Sequence, residues 1–139
     1  MENLSKIKQV ILVRSDIRNI FGNKIRTGKY CAQVAHASMA FLTRKAGVIN
    51  DVFSNKYIKN LDEVMQWLDE GVTKICLKVE SEKELMDIFL KAQKEGLNSE
   101  LIVDSGYTEF NGVATKTCCA LGPNKSEDID KITGHLGLF

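Results

Sequence analysis

Gln9 is followed by Val10-Ile11-Leu12-Val13, four large aliphatic residues in a row, before the chain turns polar at Arg14-Ser15-Asp16. A strand with one wet face alternates apolar and polar residues, so an unbroken run predicts a central strand covered on both faces. That requirement narrows the fold: helices must lie on either side of a sheet, and 139 residues are enough for one such domain.

The rest of the chain supplies the covering elements. Ile17–Thr27 carries Gly22 and Asn23 and predicts a loop. A helix follows over 28–46, with Thr27 placed to cap it and Gly47 to stop it. Residues 48–60 have no clear period and predict an irregular or partly helical excursion. Leu61–Asp69 is a short amphipathic helix closed by Gly71. Thr73–Val79 alternates, with Ile75, Leu77 and Val79 on one face, and predicts a half-exposed strand. Ser81 and Glu84 have capping-box spacing, and the helix they open carries apolar positions 85, 88, 89 and 92 before Gly96. Leu101–Val103 is a short buried strand running into Asp104-Ser105-Gly106. Thr117–Leu121 is a fourth strand, broken by Gly122-Pro123, and Ser126–Thr133 a last helix stopped by Gly134. An apolar tail follows. The order β-α-α-β-α-β-β-α predicts a single α/β domain over 1–139, a four-stranded mixed sheet flanked by helices on both faces. Its β-α-β units are expected to be parallel and its last strand antiparallel.

Composition excludes several classes. No apolar run approaches the ~18 residues of a membrane span, and the N-terminus reads as a first strand rather than a signal peptide. Cys31, Cys76, Cys118 and Cys119 lack metal-ligand spacing and lie in apolar segments, so they read as reduced core residues of a cytoplasmic protein without a metal. The net charge is only +1, but it is segregated. Residues 14–29 hold Arg14, Arg18, Lys24, Arg26 and Lys29 against Asp16, five minus one, or +4. Residues 44–59 hold four cations against Asp51, or +3, whereas residues 61–70 hold four acids and no cation. A basic face of this kind suits a polyanion, although lysine-rich loops can also be plain solvated surface.

The helix over 28–46 is apolar around most of its circumference, which predicts burial, yet Lys29, Gln33 and His36 fall within roughly 60° of one another. Such a stripe is either a solvent-facing strip or the wall of a site. Ligands of open α/β sheets collect at the carboxyl ends of parallel strands, where Asp16 and Asp104 stand. The start of this helix faces the same rim. Lys29, Gln33, Asp104 and Thr108 are therefore placed to converge on one cleft, with Gly106 allowing a tight turn. Each has a plain structural reading as well: loop cap, turn former, surface charge. The chain has no GxSxG, P-loop, HExxH or GxGxxG, and His135 in its Gly-His-Leu-Gly turn reads as structural.

Gly28-Lys29, Ala32-Gln33, His36-Ala37, Asp104-Ser105-Gly106-Tyr107-Thr108, Leu121-Gly122-Pro123 and Ile129 through Leu136 resemble the second class of peptidyl-tRNA hydrolases, in the same order from Gln9 to Phe139. The resemblance implies a small α/β enzyme that hydrolyses the ester between peptide and tRNA, needing no cofactor and usually forming a homodimer. Its active-site positions fall on Lys29, Gln33, Asp104, Thr108 and Thr117, with His36 at a characteristic but less clearly chemical position beside the substrate. On physical grounds Asp104, oriented by Thr108, positions the water, Lys29 stabilises negative charge and Gln33 orients substrate. Phosphate contacts are expected from the basic segments, with Arg14, Lys24 and Arg26 nearest the cleft. Two departures from the family pattern adjoin the cleft: extra residues around Ile20–Ile25, and Tyr107 where many members carry arginine. Ser105 also replaces alanine. The competing readings are an inactive tRNA- or protein-binding member of the fold, and a small-molecule-binding α/β domain.

Overall fold

In a computed structural model, which describes residues 6–46, 58–106, 110 and 112–139, the elements follow the order β1 (Ile7–Arg14), α1 (Thr27–Ala46), α2 (Leu61–Asp69), β2 (Lys74–Val79), α3 (Glu82–Lys94), β3 (Ser99–Asp104), β4 (Thr115–Lys125) and α4 (Ser126–Thr133). The strands form one mixed sheet in the order β2-β1-β4-β3. β1 pairs parallel with β2, and β4 runs antiparallel to both β1 and β3. It follows that β1, β2 and β3 all point the same way, and their carboxyl ends, Arg14, Val79 and Asp104, share one rim.

The unbroken aliphatic run explains the layering. Successive side chains of a strand point to opposite faces. Val10 and Leu12 join Leu77, Val79, Leu85, Ile88 and Ile129 beneath α3 and α4. Ile11 and Val13 join Ala37, Ala40 and Ile102 beneath α1. A third cluster of Ile7, Phe41, Ile58, Val64 and Trp67 seats α2 on the α1 side. Burying each of the largest of these side chains contributes about 1.5–3 kcal/mol. The capping box is formed: Ser81 Oγ accepts from Glu84 N at 3.0 Å, while the Glu84 carboxylate accepts from Glu80 N at 2.8 Å.

Four expectations are revised. Gly122-Pro123 does not break the last strand; β4 continues to Lys125 through a bulge opposite Gln9, with the register shifting between Lys8 and Val10. Gly122 makes this passage feasible: its φ is 99°, and a Cβ there would stand 2.5 Å from the Lys8 carbonyl oxygen. Thr27 is the first helical residue rather than the cap, and the Arg26 carbonyl accepts from Tyr30 N. Cys118 and Cys119 are core residues, but Cys31 is exposed. The full burial expected of α1 fails for the same reason: the helix packs on the sheet from one side, leaving Cys31, Ala32, Ala35 and Met39 facing outward. Gly47, and the excursion over 48–57, lie outside the described residues.

The apolar tail lies along the outer edge of β2. Gly137 O accepts from Lys78 N, Phe139 N donates to Cys76 O, and the Phe139 ring meets Tyr30 edge-on at 5.0 Å. The segment predicted as a loop over 17–27 holds a small antiparallel hairpin with an Arg18–Lys24 bridge. Among the described residues, no helix is long and apolar enough to cross a membrane.

Candidate active site

Three elements meet at the carboxyl rim. β3 ends in Asp104, the first two turns of α1 carry Lys29 and Gln33, and the start of β4 carries Thr117. Lys29 and Gln33 are four residues apart, so their side chains stack on one face of α1. Lys29 Nζ donates to Asp104 Oδ1 at 2.8 Å, and Gln33 Nε2 donates to the same oxygen at 3.2 Å. Thr117 Oγ1 donates to Gln33 Oε1 at 2.7 Å. Gly106 N donates to Asp104 Oδ2 at 2.8 Å. The result is one chain of hydrogen bonds, Thr117 to Gln33 to Asp104, with Lys29 as counter-ion. Thr117 fixes which end of the Gln33 amide faces Asp104, because its hydroxyl occupies the carbonyl end.

The chain is nearly dry. Gln33 and Thr117 are 4% and 1% exposed, and the Lys29 and Asp104 side chains 14% and 11%. Burial by itself pushes the Asp104 carboxyl up, but hydrogen bonds from Lys29, Gly106 and Gln33 and the Lys29 charge outweigh it and hold the group below its usual range. Asp104 is therefore an anion at neutral pH. Three of its roughly four acceptor positions are engaged by Lys29, Gln33 and Gly106, leaving room on Oδ2 for one further donor. Gly106 earns its place sterically as well: φ is 88°, and a Cβ would lie 2.3 Å from the Val113 carbonyl oxygen.

Lys29 also lies over the Phe110 ring, 5.9 Å from its centroid. Sequence reasoning did not single out Phe110; the only signal was an aromatic between Gly106 and Gly112 in the segment after Asp104. Phe110 packs with Ile17, Ile25 and Tyr30, tying the cleft to the base of the 17–26 hairpin.

The remaining candidates separate. Arg14 makes a two-pronged contact with Asp16 at 2.9 and 2.8 Å and donates to Lys116 O at 3.0 Å, so it braces the rim. Its pKa is raised by the Asp16 hydrogen bond, and that of Asp16 lowered by the same contact. Lys24 and Arg26 stand exposed on the hairpin. His36, one turn beyond Gln33, faces solvent, and among the described residues no hydrogen bond ties it to Asp104. Tyr107 and Thr108 lie outside the described residues. No cluster of His, Cys, Asp or Glu suited to a metal occurs among those described.

The sequence was compared with known proteins. The family model described as "Peptidyl-tRNA hydrolase PTH2" matches residues 7–139. A peptidyl-tRNA hydrolase of Methanocaldococcus jannaschii is 42% identical over 134 residues, covering 96% of this chain and all of the relative. Those of Methanopyrus kandleri and Nanoarchaeum equitans are each 39% identical over 133 residues, covering 95% and 96% of this chain and 97% and 99% of theirs. With a family model matched from residue 7 to residue 139 and relatives near 40% identity along almost the whole length, the chain belongs to the peptidyl-tRNA hydrolase PTH2 family.

Proposed function

We propose that this chain hydrolyses the ester joining a peptide, or an N-blocked aminoacyl group, to the 3′ end of tRNA, and that the Lys29–Asp104 pair carries the chemistry. The names of its full-length relatives support the reaction. The observation that supports the site is the dry chain of Thr117, Gln33, Asp104 and Lys29 at the carboxyl rim.

Water adds through its oxygen to the ester carbonyl carbon, and the carbonyl oxygen takes up negative charge. Collapse breaks the bond to the ribose oxygen, which receives the proton lost by the water; the products are a peptide acid and a tRNA with a free hydroxyl. Asp104, with its pKa held low, is a weak proton acceptor but a fixed anion, suited to orient the attacking water through Oδ2. Lys29 is suited to stabilise charge on the tetrahedral intermediate or the departing ribose oxygen. The Gln33 amide has Thr117 at one end and Asp104 at the other, so it positions the carboxylate rather than the substrate. Thr108, close in sequence to Asp104, remains a candidate partner of the water.

Lys24 and Arg26 are assigned to phosphates of the tRNA, so affinity should fall with salt. Replacing either by serine should flatten the log–log salt slope by roughly one; an unchanged slope would remove that residue from the interface. The proposal includes action in the cytoplasm and assembly as a homodimer, supported by the family resemblance and testable by sedimentation. The deciding experiment is release of peptide from an N-acetylated aminoacyl-tRNA by the purified protein. Release is expected, and none at micromolar enzyme would favour an inactive tRNA-binding member.

A further inference from the structure

The hairpin over 17–26 is built to present its tip. Asn19 N donates to Asn23 O at 2.8 Å, and Gly22 N donates to Asn19 O at 3.0 Å. The Asn19 side chain accepts from Phe21 N and Asn23 N at 2.9 and 3.1 Å. Gly22, at φ 79°, closes the turn. At its base Ile17 and Ile25 are buried against Phe110 and Tyr30. A hairpin tied at both ends nonetheless holds two large apolar side chains in water: Ile20 is 58% and Phe21 79% exposed.

Cations flank this tip. Lys24 and Arg26 are exposed, and Arg18 donates to the carbonyls of Ser15 and Ile17. Between hairpin and sheet lies a depression of about 320 Å³ lined by Arg14 with its partner Asp16, and by Ile17, Arg18, Ile20 and Phe110, among others. Phe110 is shared: it lines this depression and also lies beside Lys29. The depression therefore touches both Ile20, beside the hairpin tip, and Phe110, the neighbour of Lys29. Aromatic and apolar faces interleaved with cations are the chemistry that holds unpaired nucleotides, by stacking on bases and pairing with phosphates.

We infer that the hairpin is a docking platform for the unpaired 3′ nucleotides of the tRNA, with Phe21 stacking on a base and Arg18 beside the adjoining phosphate. This rests on the reading of the chain as a peptidyl-tRNA hydrolase, which places the ester at Lys29 and Asp104 and the preceding nucleotides on the side of Phe110. The positive charge favours a nucleotide over the acyl group as occupant.

The test uses the full chain and Phe21→Ala, which removes little packing because the residue is 79% exposed. On an N-acetylated aminoacyl-tRNA, Phe21→Ala should raise KM about tenfold with kcat within about twofold, and Phe21→Trp should restore KM. On an N-acetyl-aminoacyl ester of adenosine, which lacks the preceding nucleotides, the two proteins should be alike. An equal penalty on both substrates would assign the tip to the terminal adenosine or the acyl group and overturn the inference. So would an unchanged KM on tRNA. Binding of uncharged tRNA gives a readout independent of turnover: the wild type should bind intact tRNA about tenfold more tightly than the same tRNA trimmed of its unpaired 3′ nucleotides, and Phe21→Ala should lose that difference. Should the wild type release no peptide, the hydrolase reading fails, while this binding comparison still decides the role of the hairpin.

Discussion

Two ion pairs stand on the same rim, one after β1 and one after β3, and they do different things. Arg14 and Asp16 form a closed fork: two parallel hydrogen bonds satisfy guanidinium and carboxylate together, and Asp16 is 34% exposed. Lys29 and Asp104 share one oxygen, bury the carboxylate further at 11% exposed, and leave the second carboxylate oxygen with acceptor capacity. A lysine is a point charge with no fork geometry, so it neutralises the carboxylate without closing it. The difference shows how one rim separates a closed, bracing pair from one that keeps an acceptor position open. Side-chain geometry decides this, since both pairs have the same formal charge.

The sharpest way to break this comparison is to remove the same charge from each pair. Asp104→Asn should lower kcat about 10²–10⁴-fold, whereas Asp16→Asn should leave kcat within about twofold and cost at most about 1 kcal/mol, as surface ion pairs do. Steady-state kinetics and urea unfolding of both variants measure this, and equal losses would erase the distinction.

A smaller effect is expected from Lys29→Met. Asp104 is held low by its donors against burial, so in the wild type the ionised form, and the stability and activity it confers, is fully present above the ordinary carboxylate range and lost as pH falls through the depressed value. With Lys29 gone and burial retained, the acid limb should move up towards neutral pH. Carbon-13 titration of the Asp104 carboxyl reads this directly, and an unmoved titration would show that Lys29 does not control it.

Thr117→Val should have the smallest effect of the three. It frees the Gln33 carbonyl end while keeping the shape of the side chain, leaving a buried acceptor unpaired at a cost of about 1–3 kcal/mol. Activity should fall about tenfold through kcat, since the amide no longer has one fixed orientation. Thr117→Ser should recover most of it; failure to do so would point to packing rather than the hydroxyl.

Much of the fold was legible because local chemistry and tertiary structure agree. The aliphatic run at 10–13 specified a strand with two dry faces, the Ser81–Glu84 pair specified where α3 begins, and the 85, 88, 89, 92 spacing specified which side it buries. Gly122-Pro123 misled because a glycine and proline ordinarily end a strand; here the neighbouring strand accepts the bulge, with the Gln9 side chain donating to Gly122 O. Cys31 misled because an apolar neighbourhood in sequence does not say which side of a helix meets the sheet.

Spacing along α1 determined by itself that Lys29 and Gln33 share a face, and the strand order determined that this face meets the end of β3. The sequence also held the hairpin's turn residues and the aromatic at 110 without a reason to connect them, and tied Thr117 to the site only through the family resemblance. Only the tertiary structure gave the hydrogen bonds themselves, from Thr117 to Gln33, 84 residues away, and from Gln33 to Asp104, 71 residues away. Hydrogen bonds between such distant positions depend on sheet register and helix docking to within an ångström, and no local pattern of residues encodes that distance.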